Sequence, residues 1–156
     1  MIFDMDKRIK AVYDALSAQC AKREYCESDI LRKAAERLDG DREAASEVLE
    51  TLVGERFVDN ARYAAAFARE KSSLQGWGTV KIRYMLRAKG VSESDIAAGL
   101  AEIEPEKASA RLDKLLESKW KTLAEDPQGK FKLIKFALTR GYDYPEVEAA
   151  LRKITG

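Results

Sequence analysis

The chain repeats itself, and that constrains it more than any single motif. Lys81 to Ile103 can be laid over Lys132 to Ile154 at the offset that separates Gly90 from Gly141. The matched positions are structural ones: Ile82 with Leu133, Gly90 with Gly141, Ile96 with Val147, Leu100 with Leu151, Ile103 with Ile154. A fainter third copy lies upstream in Ile30, Ala34, Ala45, Leu49 and Leu52, one residue longer at Asp39-Gly40. A period of this length marks an array in which no unit buries all its apolar faces alone and neighbours must stack.

Apolar residues recur at helical spacing throughout, and no segment shows sustained strand alternation. Ile9, Val12, Tyr13, Leu16 and Cys20 give the first helix, about 6 to 22, one apolar stripe. Ser28 is positioned to cap a second, near 28 to 38, and Asp39-Gly40-Asp41 turns the chain into a third, near 41 to 53. Asp59 can cap a fourth, with Tyr63 and Phe67 at i, i+4 in an alanine-rich core face. A fifth, about Thr79 to Lys89, follows the Gly76-Trp77-Gly78 turn and closes at Gly90. Ser92 with Asp95 starts the sixth, Pro105 fits the first turn of the seventh, and Asp126-Pro127-Gln128-Gly129 breaks it. Gly141 and Asp143 repeat the arrangement between the eighth and ninth. The fold class is therefore all-α: an elongated, curved array of three tandem three-helix repeats, at about 6–53, 59–103 and 105–154, forming one helical-repeat domain over 1–156.

Composition limits the chemistry. The sequence contains no histidine, no HExxH, no phosphate-cradling Gly-Lys loop and no nucleophile elbow, so an enzyme, a cofactor site or a metal centre is not expected. Cys20 and Cys26 read as free, partly buried thiols. The start lacks the basic and apolar regions of a signal peptide, and no run is long and apolar enough for a membrane span, which makes the cytoplasm the expected compartment and a membrane partner unexpected. A net charge of +1 means that any polyanion must be met by a local patch.

Such patches are present. From Lys71 to Ser92 the bases Lys71, Lys81, Arg83, Arg87 and Lys89 meet no acid, and from Pro127 to Tyr142 neither do Lys130, Lys132, Lys135 and Arg140. Each repeat thus carries its positive charge on the same helix, and stacking should align the patches along one side. Arg83 and Arg87 lie away from the Ile82, Met85, Leu86 stripe and are expected to be exposed. With Arg62 and Arg69 these nine positions, Lys71 aside, make ten candidate binding residues for phosphates or an acidic protein surface. Lys89 and Arg140 also sit in last turns, where a base favours the helix dipole whatever its function. Trp77 and Tyr84 could stack on bases, but packing at a helix start or repeat junction is the expected role of both; Trp120 and Phe136 are expected in the core.

Arg56-Phe57-Val58-Asp59-Asn60-Ala61-Arg62-Tyr63-Ala64, then Gly76-Trp77-Gly78-Thr79-Val80-Lys81-Ile82-Arg83 and Leu86-Arg87-Ala88-Lys89-Gly90-Val91, resembles the central signature of the bacterial RecX family. Lys132 to Tyr142 is similar to that family's C-terminal repeat, and the resemblance runs from about Leu16 to the end. Arg56 stands where a glycine is usual, Asn60 where a second acid is usual and Met85 where a polar residue is common. The resemblance implies an elongated, crescent-like, non-enzymatic modulator that binds the RecA recombinase filament in its groove; a monomer is the expected state. It would restrain ATP hydrolysis, strand exchange and co-protease activity, within DNA repair, homologous recombination and the SOS response, with DNA in or near the filament as a further contact. The alternative is a helical module that binds single-stranded or structured nucleic acid without any recombinase.

Overall fold

The computed structural model describes residues 6–155. Nine α-helices and no strand occur among them: α1 (Lys7–Cys20), α2 (Glu27–Arg37), α3 (Arg42–Gly54), α4 (Asn60–Ser73), α5 (Thr79–Ala88), α6 (Glu93–Leu100), α7 (Pro105–Leu123), α8 (Gly129–Thr139) and α9 (Tyr144–Thr155). The chain is all-α, built of three-helix units in tandem.

Local chemistry sets most boundaries. Asp6, Asp41, Asp59 and Ser92 each accept a backbone N–H in the first turn that follows, satisfying donors a helix start leaves open. At α9 the exchange is reciprocal: Asp143 Oδ1 accepts from Glu146 N–H and Glu146 Oε2 from Asp143 N–H, each at 2.9 Å. Gly90 and Gly141 end α5 and α8 at φ +79° and +97°, a region that favours glycine. Arg56 ends α3 at φ +63°, with Phe57 N–H bonded back to Leu52 C=O, so the position where glycine is usual does demand a left-handed residue.

One expected cap fails. Cys26 precedes α2, and Ser28 lies inside the first turn, donating its hydroxyl to the Lys89 carbonyl at 2.7 Å. The open N–H of Glu27 is met instead by Asn60 Oδ1 at 2.8 Å. A neighbouring unit, not the local sequence, thus closes this helix start.

Each unit has its own core. Ile30, Ala34, Val48 and Leu52 centre the first, Ile82, Leu86 and Ile96 the second, Leu116, Leu133, Ala137 and Val147 the third. The repeat register is visible in burial: Ile30, Ile82 and Leu133 are all inaccessible, while Leu100 and Leu151 are both only half-buried. Cys26 is buried among the second unit's core residues, and Cys20 is half-buried, both as free thiols. Tyr63 is core as expected, with Phe67, Trp120 and Phe136 packed at core edges.

The units join head to tail through their second helices. The C-terminal turn of α5 meets the start of α2 through Ser28 and Lys89. The C-terminal turn of α8 meets the start of α5 more tightly: Gly78 N–H donates to Arg140 C=O at 2.8 Å and Val80 N–H to Gly141 C=O at 2.9 Å. These bonds satisfy two of the donors at the start of α5, so the third unit acts as a cap for the second. Among the described residues the side-chain and loop bonds between units join neighbours only, as in an elongated array.

Candidate functional site: a cation cluster at the junction of the second and third units

The loop Gln75–Gly78 is gripped by the third unit as well as by its own, where Trp77 N–H donates to Lys71 C=O at 2.9 Å. Tyr142 Oη donates to Gly76 C=O at 2.9 Å and Arg140 Nη1 to Gln75 C=O at 3.3 Å, beside the two backbone bonds to α5. Burial, outweighing nearby Arg111, pushes the Tyr142 phenol up and keeps it a donor. Gly78 and Gly141 approach so closely that a Cβ on either would meet backbone; on Gly141 it would lie 2.7 Å from Lys81 N.

This grip brings three bases from three helices onto one loop. Lys71 Nζ of α4 and Lys81 Nζ of α5 lie 5.0 and 4.2 Å from the centre of the Trp77 ring, which packs edge-on against Phe67. Arg140, at the end of α8, stacks on Phe136 at 4.9 Å, with Lys119 on the same ring at 5.2 Å. Among the described residues none of these four forms an ion pair. Aromatic faces attract the ammoniums by about 0.5–1 kcal/mol each at such exposure, but they leave the charge in place. The cluster can hold anionic groups, phosphate or carboxylate. Among the described residues no His, Cys, Asp or Glu group gathers that could hold a metal ion.

Of the ten bases marked in the sequence, half are committed within the chain. Arg62 forks onto both oxygens of Glu24 at 2.9 and 3.2 Å, tying the second unit to the loop before α2. Arg69 bonds Glu102 at 3.0 Å, Lys132 bonds Asp126 at 2.6 Å, and Arg87 pairs with Glu93. Lys89 meets both oxygens of Asp29 at 2.9 and 3.1 Å. Burial alone would raise the Asp29 carboxyl, but the Lys89 hydrogen bond, with help from Cys26 and Arg32, takes it below its usual value. The acid-free windows of the sequence are thus not acid-free in space.

Lys81, Arg83, Lys130, Lys135 and Arg140 have no carboxylate at ion-pair distance among the described residues, and the structure brings only Lys81 and Arg140 to one place. Arg83 is half-buried with its Nε shielded and unpaired, not fully exposed as expected. The buried side of α5 is centred on Ile82 and Leu86, which leaves Arg83 on its flank and puts Tyr84 at the middle of the outer face, 70% exposed. Tyr84 therefore does not pack at a junction; Trp77 does. Lys71 belongs with these free bases, and its i, i+4 spacing from Phe67, like that of Lys81 from Trp77, is the mark of this in the sequence.

Residues 59–100 match the family model for the second three-helix domain of RecX. The chain is 30% identical to a "Regulatory protein RecX" of Chromohalobacter salexigens over 131 residues, covering 84% of each protein. It is 29% identical to that of Clostridium tetani over 118 residues, 73% of this chain, and spans only about half, 54%, of that relative's length. Two solved structures superpose with TM-scores of 0.80. One, "Crystal structure of regulatory protein RecX", is 25% identical, with 95% of this chain and 71% of that one covered. The other, RecX from Lactobacillus salivarius, is 16% identical over 97% and 99%, and speaks for the fold alone. The helix order, the capped repeats and these likenesses together place the chain in the RecX family.

Proposed function

We propose that this protein acts as a single helical-repeat body that binds the RecA recombinase filament and modulates, mainly by inhibiting, its ATPase, strand-exchange and co-protease activities. Membership of a family of regulatory proteins supports a regulatory role. The observation that carries the binding reading is the unpaired cluster of Lys71, Lys81 and Arg140, built where two units meet. An anionic contact there reads the relative placement of those units, which suits a partner with regularly repeated acidic or phosphate sites. Lys130 and Lys135 extend the free charge along α8; Arg62, Arg69, Arg87, Lys89 and Lys132 act first as struts within the chain.

The alternative, a general nucleic-acid module, is less favoured by the geometry. Trp77, the aromatic between Lys71 and Lys81, packs against Phe67 and has both ammoniums over its ring, so the cluster itself offers no open stacking platform. The test is co-sedimentation with RecA–DNA filaments, with DNA alone and with RecA alone, beside a titration of DNA-dependent ATP hydrolysis. The expected result is preference for the filament and slowed hydrolysis; the triple variant Lys71→Gln/Lys81→Gln/Arg140→Gln should keep its helix content and lose most of the effect. Equal affinity for DNA alone, or unchanged hydrolysis at saturating protein, refutes the reading.

A further inference from the structure

Not all of the outer surface of α5 and α8 is basic. Val80 is 53% exposed, Tyr84 70%, Phe131 67% and Leu138 42%. These residues fall at equivalent places in the repeat: Val80 corresponds to Phe131, Tyr84 to Lys135 and Arg87 to Leu138. All six are exposed, so the same helical face is open in both units, and it is the face opposite the buried Ile82/Leu86 and Leu133/Ala137 stripes. The last turn of α8 docks on the first turn of α5, so these two open faces belong to adjoining helices. Neither helix contains an acid. On α8, Phe131, Ile134, Lys135, Leu138 and Thr139 line a shallow groove of about 350 Å³.

We propose that this strip is a docking surface for protein, and that its occupant is an apolar surface rimmed by carboxylates on the filament subunit; this rests on the filament reading above. Two features select that occupant over a phosphate backbone. Aliphatic Val80 and Leu138 and the groove beside Phe131 have nothing to offer a phosphodiester chain, whereas exposed Tyr84 and Phe131, with Arg83 on the flank, are of the residue types enriched at protein interfaces. The charge on the strip is also limited, because Arg87 is held by Glu93, leaving Lys135 with Lys130 and Arg83 on its flanks. Such a ratio suits a few carboxylates around an apolar centre. The Trp77 cluster would then supply long-range attraction, and the strip would supply the apolar contact that fixes which protein is bound.

The experiment compares Tyr84→Ser/Phe131→Ser with Lys81→Gln/Arg140→Gln, measuring affinity for RecA–single-stranded DNA filaments and for single-stranded DNA alone across a salt series. Both aromatic positions are exposed, so circular dichroism and melting should match the parent, and Tyr84→Phe/Phe131→Tyr should retain binding. The expected result is that the serine variant loses about tenfold or more in filament affinity while the slope of log affinity against log salt stays as in the parent. The cation variant should lower that slope instead. Filament binding by the serine variant equal to the parent's overturns the strip and leaves the filament reading standing. A parallel loss on DNA alone overturns it in favour of base stacking, and a parent dimer that the serine variant dissolves in sedimentation overturns it in favour of a second copy. A parent that does not bind filaments at all removes both readings together.

Discussion

Gly90 and Gly141 offer a matched pair for measuring how strongly the units are welded. They are repeat equivalents with φ of +79° and +97°, so alanine at either imposes a left-handed strain of about 1–2 kcal/mol. Their surroundings differ. A Cβ on Gly90 would have nothing within 4 Å, whereas one on Gly141 would lie 2.7 Å from Lys81 N and against the Lys81 side chain. To escape, the end of α8 must withdraw from α5 and lose the bonds from Gly78 N–H to Arg140 C=O and from Val80 N–H to Gly141 C=O. At about 1 kcal/mol net per bond, withdrawal adds about 2 kcal/mol to the strain. Gly90→Ala should therefore cost about 1–2 kcal/mol and Gly141→Ala about 3–4 kcal/mol, read from urea unfolding followed by far-UV circular dichroism. Trp77 fluorescence should shift in the Gly141 variant only, since its loop is the one released. Equal costs at the two positions would refute the argument that backbone capping between units stabilises this junction.

Arg56→Gly removes a side chain from φ +63° and should stabilise by about 1 kcal/mol, seen as a rise in melting temperature of about 2–4 °C; a fall would mean that the Arg56 side chain contributes more than its backbone costs. Leu86→Ala should destabilise by about 2–5 kcal/mol, as the side chain is wholly inaccessible. Asp29→Asn should lower stability at neutral pH: because the Asp29 carboxyl is held below its usual value, its contribution is full above about pH 4 and disappears as pH falls through the lowered value. The gap between parent and variant should thus narrow below about pH 4 in acid unfolding, and a gap independent of pH would show that the Lys89 bond is not its source.

Much of this protein was determined by local sequence. Asp41, Asp59, Ser92 and Asp143 cap the helices they precede, and Gly90 and Gly141 end the helices they follow, because caps and left-handed residues act over three or four neighbouring positions. The repeat placed Ile82 with Leu133 and Ile96 with Val147 in equivalent cores, since burial periodicity is also a local property. What the sequence did not carry was pairing between separate helices, within a unit or across units. Glu93 reaches back to Arg87 from the next helix, Asp29 comes to Lys89 from another unit, and Asn60 serves the start of α2; each turned an apparently free group into a strut. Conversely, Lys71 and Lys81 meet over Trp77 within the second unit, and Arg140 joins them only because the end of α8 caps the start of α5. Charge in a window of sequence counts neighbours along the chain, whereas the field at a site depends on distances in space, which stacking of the units alone decides.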